Sequence, residues 1–116
     1  MTPEELRERA WLFSRRVRRF CTPLYRDAEH EYAARQLRRA AASAASNYRA
    51  ASIARTKPAF IAKLDIVVEE SDESFFWARD LDDAGLKCAE LDWILDEAEQ
   101  LTRIFGSSRR TASNRQ

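Results

Sequence analysis

Residues Gln36 to Leu81 set two long helical segments of unlike character back to back. The first, Gln36 to Ala51, is built almost wholly from alanine, serine and arginine. The second, Phe60 to Trp77, carries phenylalanine, isoleucine, leucine, valine and tryptophan. Thr56-Lys57-Pro58 divides them: Thr56 is a natural N-cap, and proline is tolerated in a first helical turn. A helix whose buried stripe is small lets a neighbouring backbone approach closely, and bulky residues on a facing helix then fill the remaining space. This juxtaposition leads to a helix-on-helix architecture.

The rest of the chain is consistent with it. Only two Gly and three Pro occur in 116 residues, which suits long helices rather than a sheet with many turns. At this length the expectation is one domain with one core. Thr2 and Glu5 form a capping box around Pro3, and Leu6, Ala10, Phe13, Val17, Phe20 and Leu24 follow as one apolar stripe that should stop near Thr22, ahead of Pro23. Helix two is expected from Asp27, as N-cap, to Arg55, with Ala34, Leu37, Ala41, Ala44, Tyr48 and Ala51 inward. Helix three should run to Asp83 and close on Gly85. Its inward stripe includes Phe60, Leu64, Val67, Ser71, Ser74, Ala78 and Leu81, and a second apolar face adds Ile61, Val68, Phe75 and Phe76, wider than one intramolecular seam requires. Helix four is expected from Ala89 to Phe105, ended by Gly106. The fold is therefore read as all-α, an antiparallel up-down-up-down four-helix bundle over residues 1–106, with a disordered polar, basic tail over residues 107–116.

Charge is unevenly distributed. Residues 1–60 hold 13 Lys and Arg against 6 Asp and Glu, and residues 61–116 hold 7 against 13, so a near-neutral chain has a basic half and an acidic half. The two halves can attract each other within a bundle or between subunits, and the basic half can meet RNA or DNA. Arg15, Arg16, Arg18, Arg19, Arg35, Arg38, Arg39 and Arg49 are the candidate nucleic-acid-binding set, because the guanidinium fork pairs well with phosphate. The alternative is a set of solvated helix faces. Arg38, Asn47, Glu70 and Glu73 form a polar set that either recognises a ligand or makes a hydrogen-bonded layer at a helix or subunit contact, with Arg38 pairing to Glu73 and Asn47 crossing to Glu70. Phe75, Phe76 and Trp77 are consecutive and cannot all face one core, so they are candidates for an oligomer interface or a small-molecule site.

Catalytic and metal signals are weak. His30 is the single histidine, and no Glu-x-x-His repeat, phosphate loop or nucleophile–base set occurs. The chain is read as non-enzymatic, with no cofactor. Cys21 and Cys88 stand far apart, outside any CxxC pair, and are expected as semi-buried thiols, with a disulfide between them left open. No stretch is long and apolar enough for a membrane span, and a cytoplasmic protein is the default.

The central residues also resemble a family. Gln36, Leu37, Arg38, Arg39, Ala40, Ser43, Asn47, Tyr48 and Ala51, followed by Lys57, Phe60, Ile61, Lys63, Leu64, Ile66, Glu70, Glu73 and Trp77, look like the second and third helices of four-helix-bundle proteins encoded in bacterial 23S ribosomal RNA intervening sequences. The fold group includes the accessory variability determinant of diversity-generating retroelements. The chain departs from the family pattern at Ala45 (commonly Gly), Ala50 (usually Glu) and Ala59 (usually acidic). The resemblance implies a homopentamer of bundles without catalytic activity. By analogy with the retroelement branch, it also implies a nucleic-acid-binding partner of a reverse transcriptase or another protein.

Overall fold

The computed structural model describes residues 1–115 and places them in four α-helices, α1 (Pro3–Cys21), α2 (Glu31–Ser52), α3 (Lys57–Asp83) and α4 (Ala89–Asn114), with a short 3-10 helix, Thr22–Arg26, following α1. They form an antiparallel up-down-up-down bundle, 49 × 20 × 19 Å, in which each helix packs against its sequence neighbours and α4 returns to α1. No strand occurs among the described residues.

Local chemistry sets most boundaries. The Thr2–Glu5 capping box opens α1 with both reciprocal bonds made, and Pro3 sits in the first turn. Thr56 caps α3 by accepting from the Ala59 amide. At the far end of α3, Gly85 takes φ +99°. Its amide donates to the Asp82 carbonyl and the Leu86 amide donates to the Leu81 carbonyl, the paired bonds of a glycine-terminated helix.

Three expected boundaries move. Helix two begins at Glu31 and not at Asp27, because Asp27 closes a preceding turn: its carboxylate accepts from the Glu29 amide and contacts the His30 ring, and its carbonyl accepts from the amides of His30 and Glu31. That helix ends at Ser52 rather than Arg55, since the Ile53 and Ala54 amides turn back to Ala50 and Ala51. Gly106 does not end helix four, which continues to Asn114. The segment expected to be a disordered tail is held by Ala112 packing on the core and by Arg109 donating to the Asp65 carboxylate of α3 at 2.7 Å. Gln116 lies outside the described residues.

The α2–α3 seam is the most extensive in the bundle. On α2 it is alanine-rich: Ala33, Ala34, Ala40, Ala41 and Ala44 are buried. The antiparallel register sets the first half of α2 against the second half of α3, where the buried residues are Ser71, Ser74, Ala78 and Leu81. Most of the buried positions there are small, as the inward stripes of the two helices predict, with Leu37 and Leu81 as the bulky ones. Leu64 and Val67 fill the other half of α3, and the largest buried side chains of the outer helices are Phe13 and Val17 from α1 and Leu91, Ile94, Leu101 and Phe105 from α4.

The thiols also differ from expectation. Cys21 is fully buried, Cys88 is exposed, and the two are unbonded to each other. Burial pushes the Cys21 thiol up to about 12, so it stays protonated and unreactive at neutral pH.

Two neighbouring alanines on α2 should respond in opposite ways to enlargement. Ala41 is sealed in the core and Ala42 is exposed on the surface. Ala41→Leu is expected to lower stability by about 1–3 kcal/mol through overpacking, and Ala42→Leu to stay within about 0.5 kcal/mol. Urea midpoints at constant slope check both.

Candidate functional site

The eight candidate arginines divide sharply once folded. Arg16, Arg35 and Arg39 are engaged. Arg16 donates to Glu90 at 2.7 Å and lies over the Trp93 ring, 3.5 Å from its centroid. Arg35 pairs with Glu31 and stacks on Tyr25 at 4.3 Å. Arg39 reaches Glu70 at 2.8 Å and also pairs with Glu73.

The other five, Arg15, Arg18, Arg19, Arg38 and Arg49, make no salt bridge among the described residues. Arg15, Arg18 and Arg38 converge on the groove between α1 and α2, where Trp11, Ser14 and Ala42 line the same space. Arg49 continues it toward Arg7, over a floor of Ala42, Ala45 and Ser46 and with Glu8 as its carboxylate, in a recess of about 440 Å³. Arg19 is exposed on α1 outside both recesses. Trp11 is 51% exposed and carries Arg15 over its ring at 5.6 Å.

The groove exists because of the α2 sequence. Alanine and serine on its outer face leave the α1–α2 surface shallow and open, while long arginines on both helices wall it. A strip of guanidinium groups beside an exposed indole offers phosphate pairing and a stacking surface together. Trp11, Arg7, Ala42, Ala45 and Ser46 were not among the sequence candidates. The available signal was position: none of them falls on the apolar stripe of its helix, so an aromatic at Trp11 had to face outward.

The polar set is wired differently from expectation. Arg38 does not pair with Glu73; it donates to the Tyr25 hydroxyl at 3.3 Å. Asn47 does not cross to Glu70; it donates to the carbonyl and hydroxyl of Ser43 on its own helix. The cross-helix ion pairs belong to Arg39, one position along. A helical step of about 100° turns Arg38 toward α1 and Arg39 toward α3. Burial raises the Glu70 pKa, but bonds from Arg39 and Ser43 outweigh it and hold the carboxyl below its ordinary value.

Phe75 and Trp77 pack partly against the core. The Trp77 ring meets Tyr32 edge-on at 5.5 Å and Phe76 at 4.9 Å, and Phe76 is left 58% exposed. Around Phe76 and Trp77 the α3 surface is acidic, with Glu69, Glu70, Asp72 and Glu73 lining one shallow recess. The basic groove and this acidic, aromatic face are two separate surfaces of the bundle.

A further pair, absent from the sequence candidates, holds the thinly packed α1–α4 seam. Arg9 donates to both oxygens of Glu97, at 2.8 and 2.7 Å, and to Gln100. Glu97 is almost fully buried. Arg16–Glu90 stands seven residues forward on α1 and seven back on α4, so the two ion pairs mark one antiparallel register.

No protein-family model matches the sequence, and neither does any curated protein. Among solved structures, the crystal structure of a protein of unknown function from the S23 ribosomal protein family of Bacteroides thetaiotaomicron VPI-5482 shares the fold, with a TM-score of 0.86 at 20% identity. The match covers 95% of this chain and 99% of that one.

Two measurements test the ion pairs. Arg9→Met leaves the Glu97 carboxylate buried and unpaired, and should cost about 2–3 kcal/mol in urea unfolding. Arg39→Met should cost about 1 kcal/mol at neutral pH, because that pair is more exposed. The depressed Glu70 pKa contributes stability above the ordinary carboxylate range, and this is lost as pH falls through the folded-state value. The stability difference between wild type and Arg39→Met should therefore shrink as pH is lowered from about 6 to 3. A difference that is constant with pH would rule out the ion pair as its source.

Proposed function

We propose that this chain is a non-enzymatic, self-associating helical bundle that binds RNA or DNA along the α1–α2 groove. The observation that carries the reading is the convergence of Arg15, Arg18, Arg38 and Arg49 on one groove beside the exposed Trp11. These guanidinium groups make no internal ion pair, unlike Arg16, Arg35 and Arg39. The likeness of fold to an S23 ribosomal protein family member supports membership in the ribosomal-RNA intervening-sequence group that the α2 and α3 motifs resemble. Under this reading the chain is an adaptor between nucleic acid and a protein, with a reverse transcriptase as the retroelement-type partner.

Self-association, with a homopentamer as the expected assembly, is supported by the second surface. Phe76 is exposed amid the α3 carboxylates, while the groove is basic. The α3 face is separate from the groove, so a copy can contact its neighbour through it and close a ring while the groove stays open to nucleic acid. The same acidic, aromatic face favours a second reading, a protein–protein assembly module without nucleic-acid contact.

Light-scattering mass of the purified chain, with and without a short structured RNA over a salt series, separates the two. The adaptor reading expects a mass of about five times 13.5 kDa that rises with RNA, with affinity falling steeply as salt increases. Replacing Arg15, Arg18 and Arg38 by Gln should reduce the salt slope by about one for each phosphate no longer neutralised. An assembly indifferent to RNA at low salt would leave the protein-only module.

A further inference from the structure

One end of the bundle, where α1 and α3 begin and α2 and α4 finish, encloses a recess of about 540 Å³. Its charge is one-sided. Arg7, Arg55, Lys57 and Arg115 line it, against the single carboxylate of Glu4 among the described residues. Up-down connectivity brings two helix N-termini to this end, and the first-turn residues Glu4 and Lys57 border the recess. The C-termini of α2 and α4 lie at the same end, so the backbone dipoles offset one another and the side-chain cations set the potential.

Tyr48 forms part of the recess lining. Its ring packs on Phe105 at 5.0 Å, and the residue is only 6% exposed. The side chain nevertheless lines the recess, where the phenol lies within the electrostatic reach of Arg7 and Glu4. The hydroxyl makes no hydrogen bond to another described residue and, where it reaches the recess, can donate to a ligand. Burial raises its pKa, so at neutral pH it is a protonated donor directed at whatever enters. Phe60 and Ala51 supply an apolar wall beside it.

Cations at the mouth, a neutral donor at the base and an apolar wall suit an anion attached to an organic body. The volume far exceeds what inorganic phosphate occupies and lies within the range of small-molecule sites, about 300–1,000 Å³. Arginine forks favour the doubly charged oxygens of a phosphomonoester. We propose that this recess binds a phosphomonoester carried on a planar body, either a nucleoside monophosphate or the terminal nucleotide of a nucleic-acid strand. Arg7 borders both this recess and the α1–α2 groove, so a strand lying in the groove could place its end here. The site does not depend on the groove reading and stands without it.

Calorimetric titration of the full chain with adenosine 5′-monophosphate, adenosine and inorganic phosphate tests the proposal. The monophosphate is expected to bind once per chain, phosphate more weakly and adenosine not at all. Arg55→Gln, at an exposed position, should leave the melting temperature unchanged and weaken the monophosphate about tenfold. Tyr48→Phe should also weaken it, while Arg18→Gln with Arg38→Gln, in the groove, should leave it unaltered. No binding at up to about 10 mM monophosphate, equal binding of adenosine, or unchanged affinity in folded Arg55→Gln would each overturn the assignment. Comparing an oligonucleotide bearing a 5′-phosphate with its 5′-hydroxyl form identifies the source. Tighter binding of the phosphorylated strand assigns the terminal nucleotide, and equal binding of the two strands beside a bound monophosphate assigns the free nucleotide.

Discussion

Close approach of α2 and α3 is the constraint on which the rest of the molecule depends. Buried alanines on α2 and Ser71, Ser74 and Ala78 on α3 make most of the central half of this seam small, with Leu37 and Leu81 as its bulky members. Ser74 returns its hydroxyl to the Glu70 carbonyl at 2.9 Å, so a buried polar atom is satisfied within its own helix. With the central pair close together, much of the remaining core volume is left to α1 and α4, which supply Phe13, Val17, Ile94, Leu101 and Phe105. The same small residues, continued onto the outer face of α2 as Ala42, Ala45 and Ser46, keep the α1–α2 groove open.

Electrostatics then distributes roles among the arginines. Where a helix seam is thin, as between α1 and α4, arginines are drawn into it: Arg9 forks onto Glu97, and Arg16 lies between Glu90 and Trp93. Arg39 is taken up in the same way by the α3 carboxylates. The basic half and the acidic half of the chain thus neutralise one another in part inside the bundle. Among the cations left without an ion pair are those facing the α1–α2 groove and those at the end where α1 and α3 begin. Partitioning by internal pairing, rather than total charge, separates the structural arginines from the available ones.

Much of the architecture was legible in the chain. The capping box at Thr2, the Thr56 cap and the Gly85 terminator act over four or five residues, and the structure forms each as the local chemistry requires. Boundaries that depend on packing were not legible. Gly106 reads as a helix end in isolation, yet Ala112 on the core and Arg109 on Asp65 carry α4 onward. Asp27 reads as an N-cap, yet its carboxylate serves the turn before α2. In the candidate site the basic residues could be named but not sorted, because a shift of one position decides whether Arg38 or Arg39 meets Glu70 and Glu73.

Sequence alone determined the number of helices, their order, their up-down connectivity and the inward stripe of each. These follow from periodicity and capping, which are properties of neighbouring residues. Tertiary structure decided which small residues became seam and which became groove floor, and which arginines were used internally. It also decided that the hydroxyl of a core tyrosine opens into a cationic recess. Those outcomes turn on azimuth and register between helices, set by packing among residues far apart in the chain.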